Sequence, residues 1–298
     1  MSGVAPGSCG LGLVSGALAT VGADGSELLM LASAFVDESY GDDGRLMLAG
    51  LIASWDKWRG FGIDWTHLLK QAEVPYAHFY EMDRNQGPFS DREVWGRGRK
   101  GAFIKAQTDI MRKWCELGVT VSIDLAAYKR VYREQMPPKV SSYSAYGVAG
   151  LEMVLCVQRH CFQLFSDADT INFVWERGHQ NLPNVQEIFH DLKDCYGEKA
   201  RSLGAFIPLS RTEAPPLCIV DQLCVSARRI EPEAKERNLF AKPPPKATLA
   251  DIQAMLPPDE TFPVFHHEID EIRLAELRDL TVEIKQLRRG LRRGRAPR

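Results

Sequence analysis

Three acidic residues stand within or at the end of apolar segments, and their placement predicts a metal site. Asp37 follows a continuous apolar run, Glu176 closes the segment TINFVWE, and Asp221 lies in the helix PLCIVDQLCVSARR. In an open α/β sheet, ligand sites gather outside the carboxyl ends of the strands, so acids at these positions have a functional reason to exist. A carboxylate buried on an apolar helix without a partner would be costly and would tend to be protonated.

Clustered carboxylates repel one another, and a divalent cation removes that repulsion. Mg²⁺ and Mn²⁺ prefer oxygen ligands and leave coordination positions for water and phosphate oxygens. Two ions about 3.5–4 Å apart can activate water on one side of a phosphodiester and stabilise the leaving oxygen on the other. We therefore expect Asp37, Glu176 and Asp221 to bind Mg²⁺ or Mn²⁺. The alternative is that Asp37 and Glu176 are solvated, while Asp221 pairs with an arginine such as Arg228.

A histidine and an acid form a second candidate group. The spacing His78-x-x-Glu81 could place an imidazole and a carboxylate on one helical face, suited to metal binding or proton transfer. The polar start of a helix after Pro75 explains the same residues without any function. Five further histidines have no ligand spacing with cysteine, and we expect them to be hydrogen-bonded or solvated: His160, His179, His190, His266 and His267.

Two basic segments predict contacts with nucleic acid. The loop Gly96–Gly101 matches the dinucleotide fingerprint, but no apolar strand precedes it, so the required context is missing. Its cations at a helix N-terminus would still attract phosphate, and a solvated turn is the alternative. Lys285–Arg298 contains seven basic residues and no acid, so the rest of the chain carries −9 although the whole chain carries −2. This tail either contacts phosphate or closes a docked helix. The predicted contacts are Arg97, Arg99, Lys100, Arg288, Arg289, Arg292 and Arg293.

An alternation of strands and helices must position these residues. Two segments, Leu28–Asp37 and Arg45–Ser54, predict an opening hairpin. The alternation that follows favours an α/β fold with a mixed sheet flanked by helices. The other predicted strands are Val119–Leu125, Thr170–Glu176 and Leu203–Leu209. The predicted helices are Trp55–Ala72, a helix from about Phe103 that is stopped by Gly118, Ser141–Phe165, one around Val185–Leu192, and Pro216–Arg229.

Composition divides the chain into three parts. Residues 1–27 are rich in Gly, Ala and Ser and predict a loose extension, and residues 28–229 form the α/β domain. Residues 230–298 contain a proline-rich linker and a basic C-terminal helix from Glu268 to about Arg289. The apolar residues of this helix alternate in steps of three and four, which favours docking on the body over a coiled-coil homodimer at this length. They are Leu277, Leu280, Ile284, Leu287 and Leu291.

Four segments together resemble the bacterial domain-of-unknown-function 3800 family: FVDESYGDDGRLMLAGLI, HFYEM, VWERGH and PLCIVDQL. The resemblance covers about residues 28–229 and implies a ribonuclease H-like fold whose acids bind divalent metal for phosphodiester cleavage. Tyr40, Cys218 and Val220 depart from the family pattern, where glycine, glutamine and alanine are usual. The matching positions implied as catalytic are Asp37, Glu38, His78, Glu81, Glu176 and Asp221.

Composition limits the class of protein. With 45% hydrophobic and 26% charged residues, the chain fits a globular protein rather than a disordered or fibrous one. It contains no apolar run of roughly 18–20 residues and no basic signal start, and its seven cysteines form no Cys-x-x-Cys pair. Composition and cysteine usage lead us to expect a cytoplasmic protein that binds no membrane. The three acids and the family resemblance imply a metal-dependent nuclease that binds DNA or RNA. The alternative is a non-catalytic nucleic-acid- or protein-binding module with the same fold.

Overall fold

Six strands form one mixed sheet. The computed structural model describes residues 31–40, 43–161, 170–236 and 263–292. The strands are β1 (Leu31–Tyr40), β2 (Arg45–Ser54), β3 (Leu117–Asp124), β4 (Thr170–Glu176), β5 (Leu203–Leu209) and β6 (Val264–Ile269). Their order across the sheet is β5-β4-β1-β2-β3-β6. Strand β2 runs antiparallel to β1 and β3, whereas the other neighbouring pairs are parallel.

Helices cover both faces of this sheet. They are α1 (Trp55–Ala72), α2 (Phe79–Arg84), α3 (Arg97–Trp114), α4 (Ala145–Cys161), α5 (Leu182–Tyr196), α6 (Pro216–Glu236) and α7 (Glu271–Arg292). One core lies beneath α1, α3 and α6, and the other lies beneath α4, α5 and α7. None of the helices in the described ranges is both long enough and apolar enough to cross a membrane.

Alternation along the strands decides which face each acid meets. Phe35 of β1 and Val174 of β4 lie in the core beneath α1 and α6. Because successive side chains of a strand point to opposite faces, Asp37 and Glu176 lie on that same face. Glu38 points to the other face, towards α4.

Several predicted elements are confirmed with the bounds given by the sequence. Strands β2, β4 and β5 and helix α1 begin and end where the pattern predicts. The opening hairpin also forms, but β1 continues to Tyr40 because Glu38, Ser39 and Tyr40 still pair with β2. Residues 28–30, where the predicted strand begins, lie outside the described residues.

The predicted boundary between α3 and β3 was wrong. Helix α3 begins at Arg97 and ends at Trp114, and Leu117 and Gly118 already belong to β3. Both residues pair with β2, opposite Ile52 and Leu51. Strand pairing therefore outweighs the helical spacing that placed Leu117 on the helix. Helix α4 begins at Ala145 rather than at Ser141, and residues 162–169, which include the predicted end of this helix, lie outside the described part of the chain.

The C-terminal part supplies a strand that the sequence did not predict. Strand β6 pairs in parallel with β3, so the sheet extends into the segment assigned to a linker and helix. Helix α6 continues past Arg229 to Glu236, and α7 begins at Glu271 rather than Glu268. The predicted extension 1–27 and residues 237–262, which include most of the linker, lie outside the described residues.

Helix α7 docks on the body, as its length favours. Leu277 and Ile284 are fully buried in the core beneath α4 and α5. The hydroxyl of Thr281, between them, lies 2.8 Å from the hydroxyl of Tyr132. These side chains are occupied by contacts within the chain, so they are not free to form the seam of a coiled coil.

Candidate metal centre at the ends of β1 and β4

The two strand-end acids meet because β1 and β4 are parallel neighbours. Val36 pairs with Trp175, which places Asp37 and Glu176 one residue further along at the same edge. Helix α6 packs across β1 and β2 and brings Asp221 to the same face. The convergence of Asp37 and Glu176 predicted from the strand ends is therefore present in the fold.

An arginine that the sequence analysis missed joins the three acids. Nη2 of Arg211 lies 3.0 Å from Oδ2 of Asp37 and 2.8 Å from Oε2 of Glu176. The same nitrogen is 4.0 Å from Oδ1 of Asp221. Arg228, the example given in the alternative of an arginine paired with Asp221, instead donates to the carbonyl oxygen of Tyr40 at 2.7 Å, and the arginine near Asp221 is Arg211.

The position of Arg211 in the sequence could have predicted its place beside the acids. It follows β5, the neighbour of β4, by two residues. Residues that follow neighbouring parallel strands meet at the same edge of the sheet, and this holds for a cation as well as for acids. Its guanidinium is not fully satisfied, since Nε is buried and has no hydrogen-bond partner among the described residues.

Asp37 is held in an unusual electrostatic environment. Its burial is complete, and this burial raises the pKa of its carboxyl group well above the usual range. The neighbouring carboxylates of Glu176 and Asp221 raise that pKa further, whereas the guanidinium of Arg211 lowers it. Oδ1 accepts a hydrogen bond of 2.7 Å from the backbone N–H of Glu38. The raised pKa of Asp37 reflects burial and repulsion among these acids, and a further cation would relieve that repulsion.

Glu38 approaches the group from the other face of the sheet. The hydroxyl of Tyr146 on α4 donates to Oε2 of Glu38 at 3.2 Å and accepts a 2.7 Å hydrogen bond from Nε1 of Trp175. Burial, followed by the charge of Asp37, raises the pKa of Glu38 to about 7. Asp37, Glu38 and Glu176 each offer one carboxylate oxygen, and these three oxygens lie within 4.8 Å of one another. These three residues are called the carboxylate cluster below.

Asp221 therefore occupies a different place from the one expected. The sequence analysis named Asp221 as a metal ligand and Glu38 as a supporting group, but Glu38 belongs to the carboxylate cluster and Asp221 does not. Oδ2 of Asp221 accepts a 2.9 Å hydrogen bond from the backbone N–H of Phe79 and lies 3.7 Å from Nε2 of His78. The carboxylate is thus engaged in holding the start of α2.

His78 and Glu81 are close together but do not share a helical face. His78 precedes α2 with extended backbone angles, and Glu81 lies in the first turn. Nδ1 of His78 lies 3.6 Å from Oε1 of Glu81. The imidazole therefore bridges Glu81 and Asp221, and it reaches the carboxylate cluster through Asp221 and Arg211 rather than directly.

An aromatic group borders the carboxylate cluster. The ring of His179 stacks on Tyr146, with ring centroids 3.7 Å apart, and its Nε2 lies 2.8 Å from the hydroxyl of Tyr40. Tyr40 itself is 47% exposed. The expectation that His179 is hydrogen-bonded is confirmed, although its position beside the cluster was not foreseen.

The basic loop contributes two of its three predicted contacts to one cavity. Arg97 and Lys100 line a cavity of about 540 Å³ together with Arg92 and Trp95. Lys100 also donates to Oδ1 of Asn85 at 2.7 Å. Arg99 turns away, because its guanidinium stacks over Trp95 at 4.5 Å and donates to a backbone carbonyl.

The basic residues of α7 are mostly engaged within the chain. Nη1 of Arg288 contacts the carboxylates of Glu187 and Asp191, the latter at 3.1 Å. Arg289 donates to the carbonyl oxygen of Lys139 at 2.7 Å. Arg292 is exposed and has no partner among the described residues, and Arg293 lies outside them. The docked-helix alternative thus accounts for Arg288 and Arg289.

A divalent cation fits the donor chemistry of the carboxylate cluster. All three donors are carboxylate oxygens, which suits hard ions such as Mg²⁺ or Mn²⁺. No family model matches the chain, and neither a curated protein nor a solved structure matches it with statistical significance. The resemblance to the domain-of-unknown-function 3800 family thus depends on the four sequence motifs alone.

Proposed function

We propose that this protein is a divalent-metal-dependent phosphodiester hydrolase, a nuclease with a ribonuclease H-like arrangement of its site. The observation that carries the proposal is the carboxylate cluster, whose oxygens lie within 4.8 Å of one another where the parallel pairing of β1 with β4 ends. The mixed sheet with its opening hairpin and the four family-like motifs support the same assignment.

Each residue has a role that its contacts suggest. Asp37, Glu38 and Glu176 would hold Mg²⁺ or Mn²⁺, which supplies Lewis-acid activation of water and of the phosphoryl group when bound. Arg211, already at the centre of the acids, is placed to neutralise a phosphate oxygen. His78 and Glu81 form a proton-relay pair beside the site, and Asp221 orients the imidazole.

Nucleic acid is the substrate class that the surrounding surface favours. Arg92 and Arg97 are exposed cations with no partner among the described residues, and they flank a cavity beside α2. Tyr40 offers an exposed ring on which a base could stack. Six free cysteines in the described residues support a reducing compartment such as the cytoplasm.

Hydrolysis assays on DNA, RNA and hybrid duplexes test the proposal directly. We expect cleavage with Mg²⁺ or Mn²⁺ that is abolished in Asp37→Ala and Glu176→Ala, because each removes a cluster oxygen. Asp109→Ala is the matched control, since Asp109 is an exposed acid whose partner is Lys105. Full activity in Asp37→Ala would refute the proposed site.

One observation favours a second candidate, a non-catalytic nucleic-acid- or protein-binding module. Arg211 already contacts both Asp37 and Glu176, so the acids have a counter-ion without any metal. In that case nucleic acid or a protein partner should bind equally well with chelator and with Mn²⁺, and no substrate should be cleaved. Binding that requires the metal would reject this second candidate.

A further inference from the structure

A second group of metal-ligand atoms lies on the other face of the sheet. Glu152 and Cys156 of α4 and His267 of β6 each offer one ligand atom, and these atoms lie within 4.8 Å of one another. Glu152 and Cys156 are 3% and 0% exposed. These three residues are called the α4–β6 cluster. It provides oxygen, sulfur and nitrogen, whereas the carboxylate cluster provides oxygen only.

The fold builds this cluster from distant segments. Glu152 and Cys156 are four residues apart and therefore lie on one face of α4. Strand β6 pairs with β3, with His267 opposite Val121, and α4 packs over β3. No ligand spacing is visible in the sequence, because the third member, His267, comes from β6, a strand that the sequence did not predict.

The next turn of α4 adds a second imidazole. Nε2 of His160 lies 3.0 Å from Nε2 of His267, and the ring of His160 stacks on Phe265 with centroids 3.8 Å apart. The other ring nitrogen of His160, Nδ1, is buried and has no hydrogen-bond partner among the described residues. The histidine pair is thus fixed in place but only partly satisfied by the protein.

Glu152 is held in the way that a ligating carboxylate commonly is. Arg273 of α7 donates to Oε2 from Nη2 at 2.7 Å, and its Nε is shared between Oε2 at 3.0 Å and Oε1 at 3.1 Å. Oε1 also accepts a hydrogen bond of 3.5 Å from Sγ of Cys156, so this oxygen lies between Arg273 and the cluster. Carboxylates that bind a metal are usually oriented by a second hydrogen-bond partner on the outer side, which is the role Arg273 would take.

We propose that the α4–β6 cluster binds a transition-metal ion of the zinc class, with Glu152, Cys156 and His267 as ligands. Mixed sulfur, nitrogen and oxygen donors select Zn²⁺ or Co²⁺ over Mg²⁺. On binding, the Cys156 thiol releases its proton to solvent and the thiolate sulfur bonds to the metal, with no change of oxidation state. The ion joins β6 to α4, and α7 is connected to it through the hydrogen bonds from Arg273 to Glu152, so its role is to fix the C-terminal part on the body.

Co²⁺ titration of the metal-free, full-length protein provides the test. We expect stoichiometric binding with a thiolate-to-cobalt charge-transfer band in the near ultraviolet. The band should vanish in Cys156→Ser and persist in Cys161→Ser, the matched control, because Cys161 is also a buried free cysteine of α4. It should also persist in Asp37→Ala, which separates this site from the carboxylate cluster. In His160→Phe, affinity should fall about 10–100-fold if His160 orients His267.

Two results would overturn the proposal. The first is a folded wild-type protein that shows no charge-transfer band, and this result does not depend on any variant. The second is a band that survives in folded Cys156→Ser or that disappears in folded Cys161→Ser, with folding checked by circular dichroism. If Cys156→Ser does not fold, proton release from the wild type on Zn²⁺ addition decides, because the absence of release excludes a thiolate ligand.

Discussion

Two arginines neutralise buried acids on opposite faces of the sheet, and they do so in different ways. Arg273 places two nitrogens on the single carboxylate of Glu152. Arg211 places one nitrogen between Asp37 and Glu176, with Asp221 4.0 Å away. The first arrangement pairs one guanidinium with one buried carboxylate and one exposed carboxylate, Glu276, whereas the second gathers several carboxylates around one nitrogen.

This difference explains what each region can bind. A site with excess negative charge gains from any divalent cation, because the ion relieves repulsion that already exists. Glu152 is already neutralised by Arg273, so its charge alone does not favour a cation. An ion bound near Glu152 therefore also needs the Cys156 thiol to ionise and act as a ligand. We therefore expect the carboxylate cluster to lower stability in exchange for cation binding, while the Glu152–Arg273 pair contributes to holding α4 and α7 together.

The largest expected effect is a difference in stability between a variant of Glu152 and a variant of Asp37. Glu152→Gln should lower the free energy of unfolding by about 3–5 kcal/mol, because it leaves Arg273 without its buried partner. Asp37→Asn should leave stability unchanged or raise it, because it reduces repulsion. Urea denaturation of metal-free protein measures both. Glu276→Gln, which removes only an exposed partner of Arg273, should stay within about 0.5 kcal/mol of wild type. Equal losses of stability in Glu152→Gln and Asp37→Asn would contradict the difference described between the Arg273 and Arg211 arrangements.

The second prediction concerns the pH dependence of stability. The pKa of Glu38 rises from 4.5 to about 7 on folding, so the folded protein retains a proton that the unfolded chain releases. The resulting stability is fully present below about pH 4.5 and is lost as the pH rises through about 7, by at most about 3 kcal/mol. Glu38→Gln should flatten this part of the profile, as followed by thermal unfolding between these values. Parallel profiles of wild type and Glu38→Gln would contradict the burial of this carboxyl group.

The third prediction uses metal as a ligand of the folded state. Mn²⁺ at about 100 times its dissociation constant should stabilise the protein by about 2.7 kcal/mol, because the unfolded chain does not preorganise the ligands. Thermal shift should show this gain in wild type and Cys156→Ser but not in Asp37→Ala. A gain that persists in Asp37→Ala would place the ion elsewhere.

The smallest expected effect concerns nucleic-acid binding by the cavity beside α2. Arg92→Ala and Arg97→Ala should each reduce the slope of log affinity against log salt by about 0.7 for single strands, because each removes one phosphate contact. Binding titrations at several salt concentrations provide the slope. Arg59→Ala, on the exposed side of α1, is the control and should leave the slope unchanged. A smaller slope in the control alone would place the nucleic acid on another surface.

The sequence predicted best where a short apolar run is bounded by polar segments. Strands β4 and β5 are short apolar runs between polar segments, so their bounds follow directly from the pattern. Strand β6, VFHHEI, carries two histidines and a glutamate, and its polar character hid its pairing with β3.

The candidate site was predictable in part for a similar reason. Parallel strand ends bring Asp37 and Glu176 together whatever the loops do. Whether an arginine reaches these acids depends on the path of the loop that holds Arg211. The spacing of residues in the sequence does not predict that path. The sequence also could not show that Glu38, and not Asp221, belongs to the carboxylate cluster, because this depends on how α2 and α4 approach Asp37 and Glu176.

The position of β6 in the sheet has a consequence for how the chain folds during its synthesis on the ribosome. Strand β3 is synthesised long before β6, and all of its residues except Asp124 are buried in the finished fold. Until residues 264–269 emerge, the outer edge of β3 therefore presents unpaired backbone groups beside an apolar surface, the arrangement that recruits other strands. Nascent or prematurely terminated chains that lack β6 should depend on chaperones and aggregate when these are depleted, whereas full-length chains complete their own edge.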